Sequence, residues 1–239
     1  PEHDRDPSCD PSGRYLAFRR GRGDLVLLDL GAEPGAPTRE RVLVRGWDAS
    51  LHWSWSPDGR HLAYASQDRS FNSDVFVIPV DGSAPAVNVS MHPNGDYAPA
   101  WSPDGKTLAF LSTRDGDEAD VWQVHLDRRL DGMTPGESAT YRELLGKLDR
   151  TPPSVAAVQS AAVAAPNTQL RPLDLDDAYL RLTRVTEWRG DEGDLALVPT
   201  GVVASQATED GQRVLYHLDP KGERTELARS ASLSDVSWS

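Results

Sequence analysis

The residues WSPDG occupy positions 55–59 and recur at 101–105, a step of 46 residues. Pro at the third place fixes φ near −65°, Asp bonds the local backbone and Gly accepts a positive φ, so SPDG reads as a hairpin corner. Stepping back by the same period reaches Cys9, where CDPSGRYLAF parallels WSPDGRHLAY and WSPDGKTLAF. There Cys9 replaces Trp and Ser12 replaces Asp. Further on, LVPTGVVAS from Leu197 keeps a Pro and a Gly, with Thr200 in the place of Asp, and DVSWS at 235–239 reads as the start of another unit. A fixed period of this length outranks other signals in deciding architecture.

Short apolar runs flank each corner: YLAF, HLAY and TLAF after it, then DLVLLDL, DVFVIPV, DVWQVHL and RVLYHLD beyond a polar loop. Each unit therefore holds about four short strands, and a unit that cannot bury both faces alone must stack on its copies. The expected fold is all-β, a β-propeller with four-stranded antiparallel blades. The frame runs over 1–239 as a partial propeller domain, with blades at about 5–50, 51–96, 97–192 and 193–234 and the first strand of a fifth at 235–239. Leu16, Leu62 and Leu108 should be buried at equivalent places in the second strands, and Cys9, aligned with two Trp residues, reads as a core residue.

An insertion at about 128–177 interrupts the third blade between its third and fourth strands. TPGESATYRELLGKLDR carries a capping box, Thr134 with Glu137, and Pro135 at the first helical position, so a short helix is expected there. The Pro- and Ala-rich stretch behind it has no clear period and reads as an irregular excursion on the rim.

Composition narrows the function. Lys and Arg number 25 against 37 Asp and Glu, a net charge of −12, which repels a nucleic-acid backbone. No apolar run reaches the roughly 18 residues of a membrane span. A single cysteine excludes an internal disulfide and a multi-cysteine zinc site. The six histidines lack metal-ligand spacing, and His125 and His217 read as equivalent surface-alternating strand residues. RDGDEAD at 114–120 misses the calcium-loop spacing and reads as a solvated hairpin. No motif joins a nucleophile to a base, so no catalytic, cofactor or metal residue is assigned. Trp55, Trp101 and Trp238 follow the repeat, as packing residues do, whereas Trp47, Trp53 and Trp188 do not and are candidates for a peptide-contact rim.

The WSPDGKTLAF blades, the link FNSDVFVIPVDGSAPAVNVSMHPNGDYAPAWSPDG and the insertion followed by LRLTRVTEWRGDEGDLAL resemble the propeller region of bacterial tricorn-like serine peptidases of the carboxy-terminal-processing type, most closely part of the second propeller. SPDG blades are also shared with TolB-like propellers. The resemblance implies a ring of six or seven blades, a PDZ module and peptidase core elsewhere in the parent chain, and a non-catalytic role here in guiding or gating peptides or unfolded proteins or mediating protein interactions. It favours an extracytoplasmic, periplasmic setting over a cytoplasmic one and leaves room for a homo-oligomer. Pro1 in place of an initiator Met, and PEHDRDPS without signal-peptide features, read as a piece of a longer protein. A TolB-like protein-binding scaffold without an attached enzyme is the alternative.

Overall fold

The computed structural model describes residues 3–31, 37–47, 50–149 and 172–230. They form four antiparallel four-stranded sheets, each a simple meander. Blade 1 comprises β1 (Asp4–Cys9), β2 (Tyr15–Arg20), β3 (Asp24–Asp29) and β4 (Arg39–Val44). Blade 2 holds β5 (His52–Trp55), β6 (His61–Gln67), β7 (Ser73–Pro79) and β8 (Val87–Asn88). Blade 3 holds β9 (Asp96–Trp101), β10 (Thr107–Ser112), β11 (Asp120–His125) and β12 (Thr183–Arg184). Blade 4 holds β13 (Glu192–Val198), β14 (Gly201–Ala207), β15 (Arg213–Leu218) and β16 (Arg224–Ser230). The fifth-blade strand expected at 235–239, with Trp238, lies outside the described residues.

Alternation along the second strands explains why the blades stack. In β6, Leu62 and Tyr64 face blade 1, while Ala63 and Ala65 face blade 3. In β10, Leu108 and Phe110 turn back to blade 2 and Ala109 and Leu111 go forward to blade 4. Three apolar cores thus fill the three seams; Leu62 and Tyr64 reach back in the first and Leu108 and Phe110 against Ala63 and Ala65 in the second, whereas in the third Val202 and Ala204 meet Ala109 and Leu111. Leu62 and Leu108 are 0% exposed, but Leu16 is only half-buried, because no blade among the described residues covers its face. On that face the Arg20 guanidinium lies 5.1 Å over the Phe18 ring and pairs with Asp4 and Glu40.

The tryptophan of WSPDG reaches back across the seam. Trp55 Nε1 donates to Ser8 Oγ at 3.1 Å, and Trp101 Nε1 donates to the Ser54 carbonyl at 3.2 Å, each acceptor lying one residue before the equivalent end of the preceding blade's first strand. Among the described residues no blade stands behind Cys9, which is exposed and not the core residue expected.

The corners repeat in detail. Ser56 Oγ donates to Asp58 Oδ1 at 2.6 Å and accepts the His61 N–H at 2.9 Å, and Ser102, Asp104 and Thr107 repeat both bonds at the same lengths. In blade 1 the roles are exchanged: Asp10 stands in the serine's place, accepts the Tyr15 N–H at 2.6 Å and takes the Ser12 hydroxyl. Blade 4 differs. Trp101 pairs with Leu108, but Leu197 pairs with Val202, so its corner is two residues shorter and Gly201 is not the counterpart of Gly105. A Cβ on Gly201 would stand 2.0 Å from the Leu218 carbonyl oxygen. The same shortening carries into β15: His217 pairs with Val203, one residue past Leu108's counterpart Val202, whereas His125 pairs with Thr107, one residue before Leu108, so the expected equivalence of the two histidines fails.

Between β11 and β12 the chain makes a 3-10 turn (Arg128–Leu130), then α1 (Pro135–Asp149), and returns through a second 3-10 turn (Ala178–Leu180). The expected capping box is present: Thr134 N–H donates to Glu137 Oε2 at 2.8 Å, and Thr134 Oγ1 accepts the Glu137 N–H at 3.4 Å. Leu173, Leu175, Ala178 and Leu182 pack on the core between blades 2 and 3, and Arg181 Nη1 donates to the His125 carbonyl at 2.7 Å. The excursion at 150–171 lies outside the described residues.

Candidate functional site

In a meander the first-to-second and third-to-fourth connections emerge on one side and the others on the opposite side. The SPDG corners therefore share a side with the insertion. Between the corners of blades 2 and 3 lies a groove of about 910 Å³. Asp58, Arg60, Asp104 and Lys106 form its two lips, His61, Val80, Trp101 and Leu126 its inner surface, and Asp127, Arg129 and Leu173 its insertion wall. The His61 and Trp101 rings lie 6.5 Å apart at 37°. Burial pushes the His61 imidazole below its ordinary pKa, and its buried Nδ1 has no partner among the described residues.

Asp104 pairs with Arg142 of α1, and Asp127 with Arg129 at 2.6 Å and with the Tyr141 hydroxyl at 3.0 Å. These contacts tie the helix to the groove and neutralise two of its carboxylates. Among the described residues, neither Arg60 nor Lys106 forms an ion pair, so both cations at the lips are available to a ligand.

A second groove of about 500 Å³ lies between the corners of blades 3 and 4 under α1. Thr107 Oγ1 meets His125 Nδ1 at 3.0 Å and accepts Arg142 Nη2 at 2.8 Å. Burial, together with Arg142, lowers the His125 pKa. The Thr107 hydroxyl is buried behind Arg142, so the pair is placed for packing rather than for attack on a bound molecule.

The three tryptophans proposed for a rim are not brought together. Trp47, 38% exposed, lies in the link to blade 2 on the side away from the corners, edge-on to Phe71 at 5.4 Å. Trp53 is half-buried in the core between blades 1 and 2 and donates to Ser8 Oγ at 2.7 Å. Trp188 packs in the core between blades 3 and 4, with the Arg224 guanidinium 4.0 Å from its ring. Sequence reading missed His61 as a groove residue; its place directly after WSPDGR was the available signal. Nothing in the spacing announced that Asp127, Arg129 and Leu173 would supply the third wall.

The segment 114–120 is also not merely a solvated hairpin. Arg114 Nη2 clasps both oxygens of the fully buried Asp96 at 3.1 and 3.0 Å, and Asp120 is buried against Arg184 at 2.7 Å.

No protein-family model and no curated protein sequence matches the chain. Solved structures do. Tricorn protease superposes with a TM-score of 0.66 at 18% identity, over 95% of this chain and 22% of its own. A puromycin-hydrolysing peptidase from Mycobacterium tuberculosis gives 0.58 at 15% identity over 98% and 30%, and TolB from Acinetobacter baumannii 0.57 at 12% over 95% and 43%. The chain thus spans less than half the length of each. At such identities the likeness speaks for the fold, and with the four meandering blades and their seams it shows this chain to have a β-propeller fold.

Proposed function

We propose that the chain is a non-catalytic propeller segment of a tricorn-like serine peptidase and that it receives an extended peptide in the groove between the corners of blades 2 and 3. The observation that carries this reading is the groove itself: an apolar interior around Trp101 and Leu126, polar lips from two copies of one corner, and cations at Arg60 and Lys106 without ion-pair partners among the described residues. A peptide needs apolar area for side chains and polar lips for its backbone and ends. The histidines add no chemistry in this reading; His61 stays neutral at pH 7 and presents a ring face.

The test is addition of unstructured peptides to the labelled protein, following the Trp101 indole and His61 ring resonances. Both should shift, and Arg60→Glu with Lys106→Glu should weaken binding several-fold for peptides bearing carboxylates. Unmoved resonances at millimolar peptide would refute the proposal. A TolB-like scaffold for folded proteins is the second reading, supported by a different feature: on the opposite side Phe71, 71% exposed and edge-on to Trp47, and the exposed Met91 both hold positive φ, at 64° and 42°. Exposed apolar residues held in strained backbone are a mark of contact surfaces. Shifts confined to those three residues on adding a folded partner would favour it.

A further inference from the structure

Repeat equivalence exposes an acid out of place. Asp96 pairs with Ser112, and Glu192 pairs with Gln206, the same register step in blades 3 and 4. Both acids are buried at the start of a first strand. Asp96 is answered by the Arg114 fork, whereas Glu192 has Thr186 Oγ1 on Oε2 at 3.1 Å and, among the described residues, no partner for the buried Oε1. The nearby carboxylate whose charge acts on it, Asp120, has Arg184 on Oδ2 at 2.7 Å and, again among the described residues, a buried Oδ1 without a partner.

These groups form the seam where blade 4 joins blade 3. The Glu192 N–H donates to the Ala119 carbonyl at 2.9 Å, the Ala119 N–H to Asp191 Oδ1 at 2.8 Å, and the Val121 N–H to Thr186 Oγ1 at 2.8 Å. Arg184 Nε closes the chain on the Thr186 carbonyl at 2.8 Å. We propose that the Glu192 carboxyl is a proton-held latch: with its proton it sits against Asp120 and keeps blade 4 closed on blade 3, and when that proton passes to solvent the joint loosens.

The surroundings agree. Burial and then the charge of Asp120 push Glu192 up to about 8 from an ordinary 4.5, against the opposing pull of the Thr186 hydroxyl, Arg184 and Arg224. Other facing groups are Tyr97 of β9, itself raised by burial and by Asp191 and Glu192, and, around Arg184, Asp115 and Glu187. Arg184 is already committed to Asp120 and Asp115, and Arg224 to Gln206 Oε1 and to the Trp188 and Tyr216 rings, so neither substitutes for Arg114.

The direction follows from linkage. A carboxyl whose pKa is higher in the closed state binds its proton more tightly there, so its contribution is whole below about pH 4.5, shrinks as pH rises and is gone above about 8. The decisive experiment is the melting temperature of the 239-residue chain across pH 6.5–8.5, for wild type and for Glu192→Gln, whose amide mimics the protonated acid. Wild type should lose melting temperature across the window and level off beyond it; E192Q should stay flat and exceed wild type at the alkaline end. Parallel curves would overturn the latch. Should E192Q not fold, exchange of the Val121 and Glu192 amide protons in wild type decides: corrected for base catalysis, opening should rise towards about tenfold per pH unit below pH 7.5 and level above 8. Corrected rates independent of pH would overturn it equally.

Discussion

Blades 3 and 4 are the same four-stranded object built with different polar devices. Blade 3 closes its first corner with Ser102 and Asp104, answers its buried acid with Arg114, and opens its third strand on Asp120. At the corresponding places blade 4 has the short Pro199–Thr200 corner, an acid without an arginine, and Val214. Both nevertheless turn alternate apolar residues of the second strand back onto the preceding blade, Leu108 and Phe110 in blade 3 and Val202 and Ala204 in blade 4. The alternation of apolar residues specifies a blade, and the polar network is a replaceable means of holding it. What changes with the network is its response to mutation and to pH.

The largest effect expected is at Arg114. Its guanidinium clasps a carboxylate with 0% exposure and lies 5.0 Å from the Trp122 ring, so Arg114→Ala leaves a buried charge alone and should cost about 3–5 kcal/mol by chemical denaturation. Asp96→Asn in the same chain should return a good part of that loss. An Arg114→Ala protein within 1 kcal/mol of wild type would break the contrast with Glu192.

The corners come next. Gly201 has φ +146° and no room for a Cβ, so Gly201→Ala must move backbone and should cost about 3 kcal/mol. Gly105, at φ +67° with its nearest atom 3.6 Å away, needs only the left-handed conformation, and alanine there should cost about 1 kcal/mol. Equal costs would mean that the two corners are alike after all. Ser102→Ala removes one acceptor and one donor from the longer corner, an expected loss of about 1–2 kcal/mol that Ser56→Ala should reproduce.

How far these differences could be read in advance depends on how local they are. The SPDG corner was legible because its bonds join residues no more than five apart. The exchange of Asp10 and Ser12 could have been read too, since DPSG keeps both chemistries in reversed order. Arg114 with Asp96, Asp120 with Arg184 and the third wall of the groove were not legible. Each depends on strand register or on where a long insertion re-enters, and neither is written in spacing. The two-residue difference in blade 4 was hidden because VPTG keeps a proline and a glycine while changing the length of the turn.

The smallest effect expected concerns histidine, and it runs against the Glu192 latch. His61 and His125, both at blades 2 and 3, are held below the ordinary pKa first by burial, His125 additionally by Arg142. A histidine depressed in the folded state is protonated first in the unfolded chain, so its stabilisation is present above about pH 6.5 and is lost as pH falls through that value towards the folded pKa. Glu192 changes in the opposite direction over the same range, stabilising as pH falls, so wild type alone would show the difference of the two. The clean measurement uses the Glu192→Gln background: between pH 7 and 5.5 its melting temperature should fall by about 2–4 °C for each kcal/mol lost, and adding His61→Gln should reduce that fall because the partnerless Nδ1 is gone. If the fall is unchanged by His61→Gln, the acid sensitivity lies at His125 under α1, and the groove between blades 2 and 3 plays no part in it.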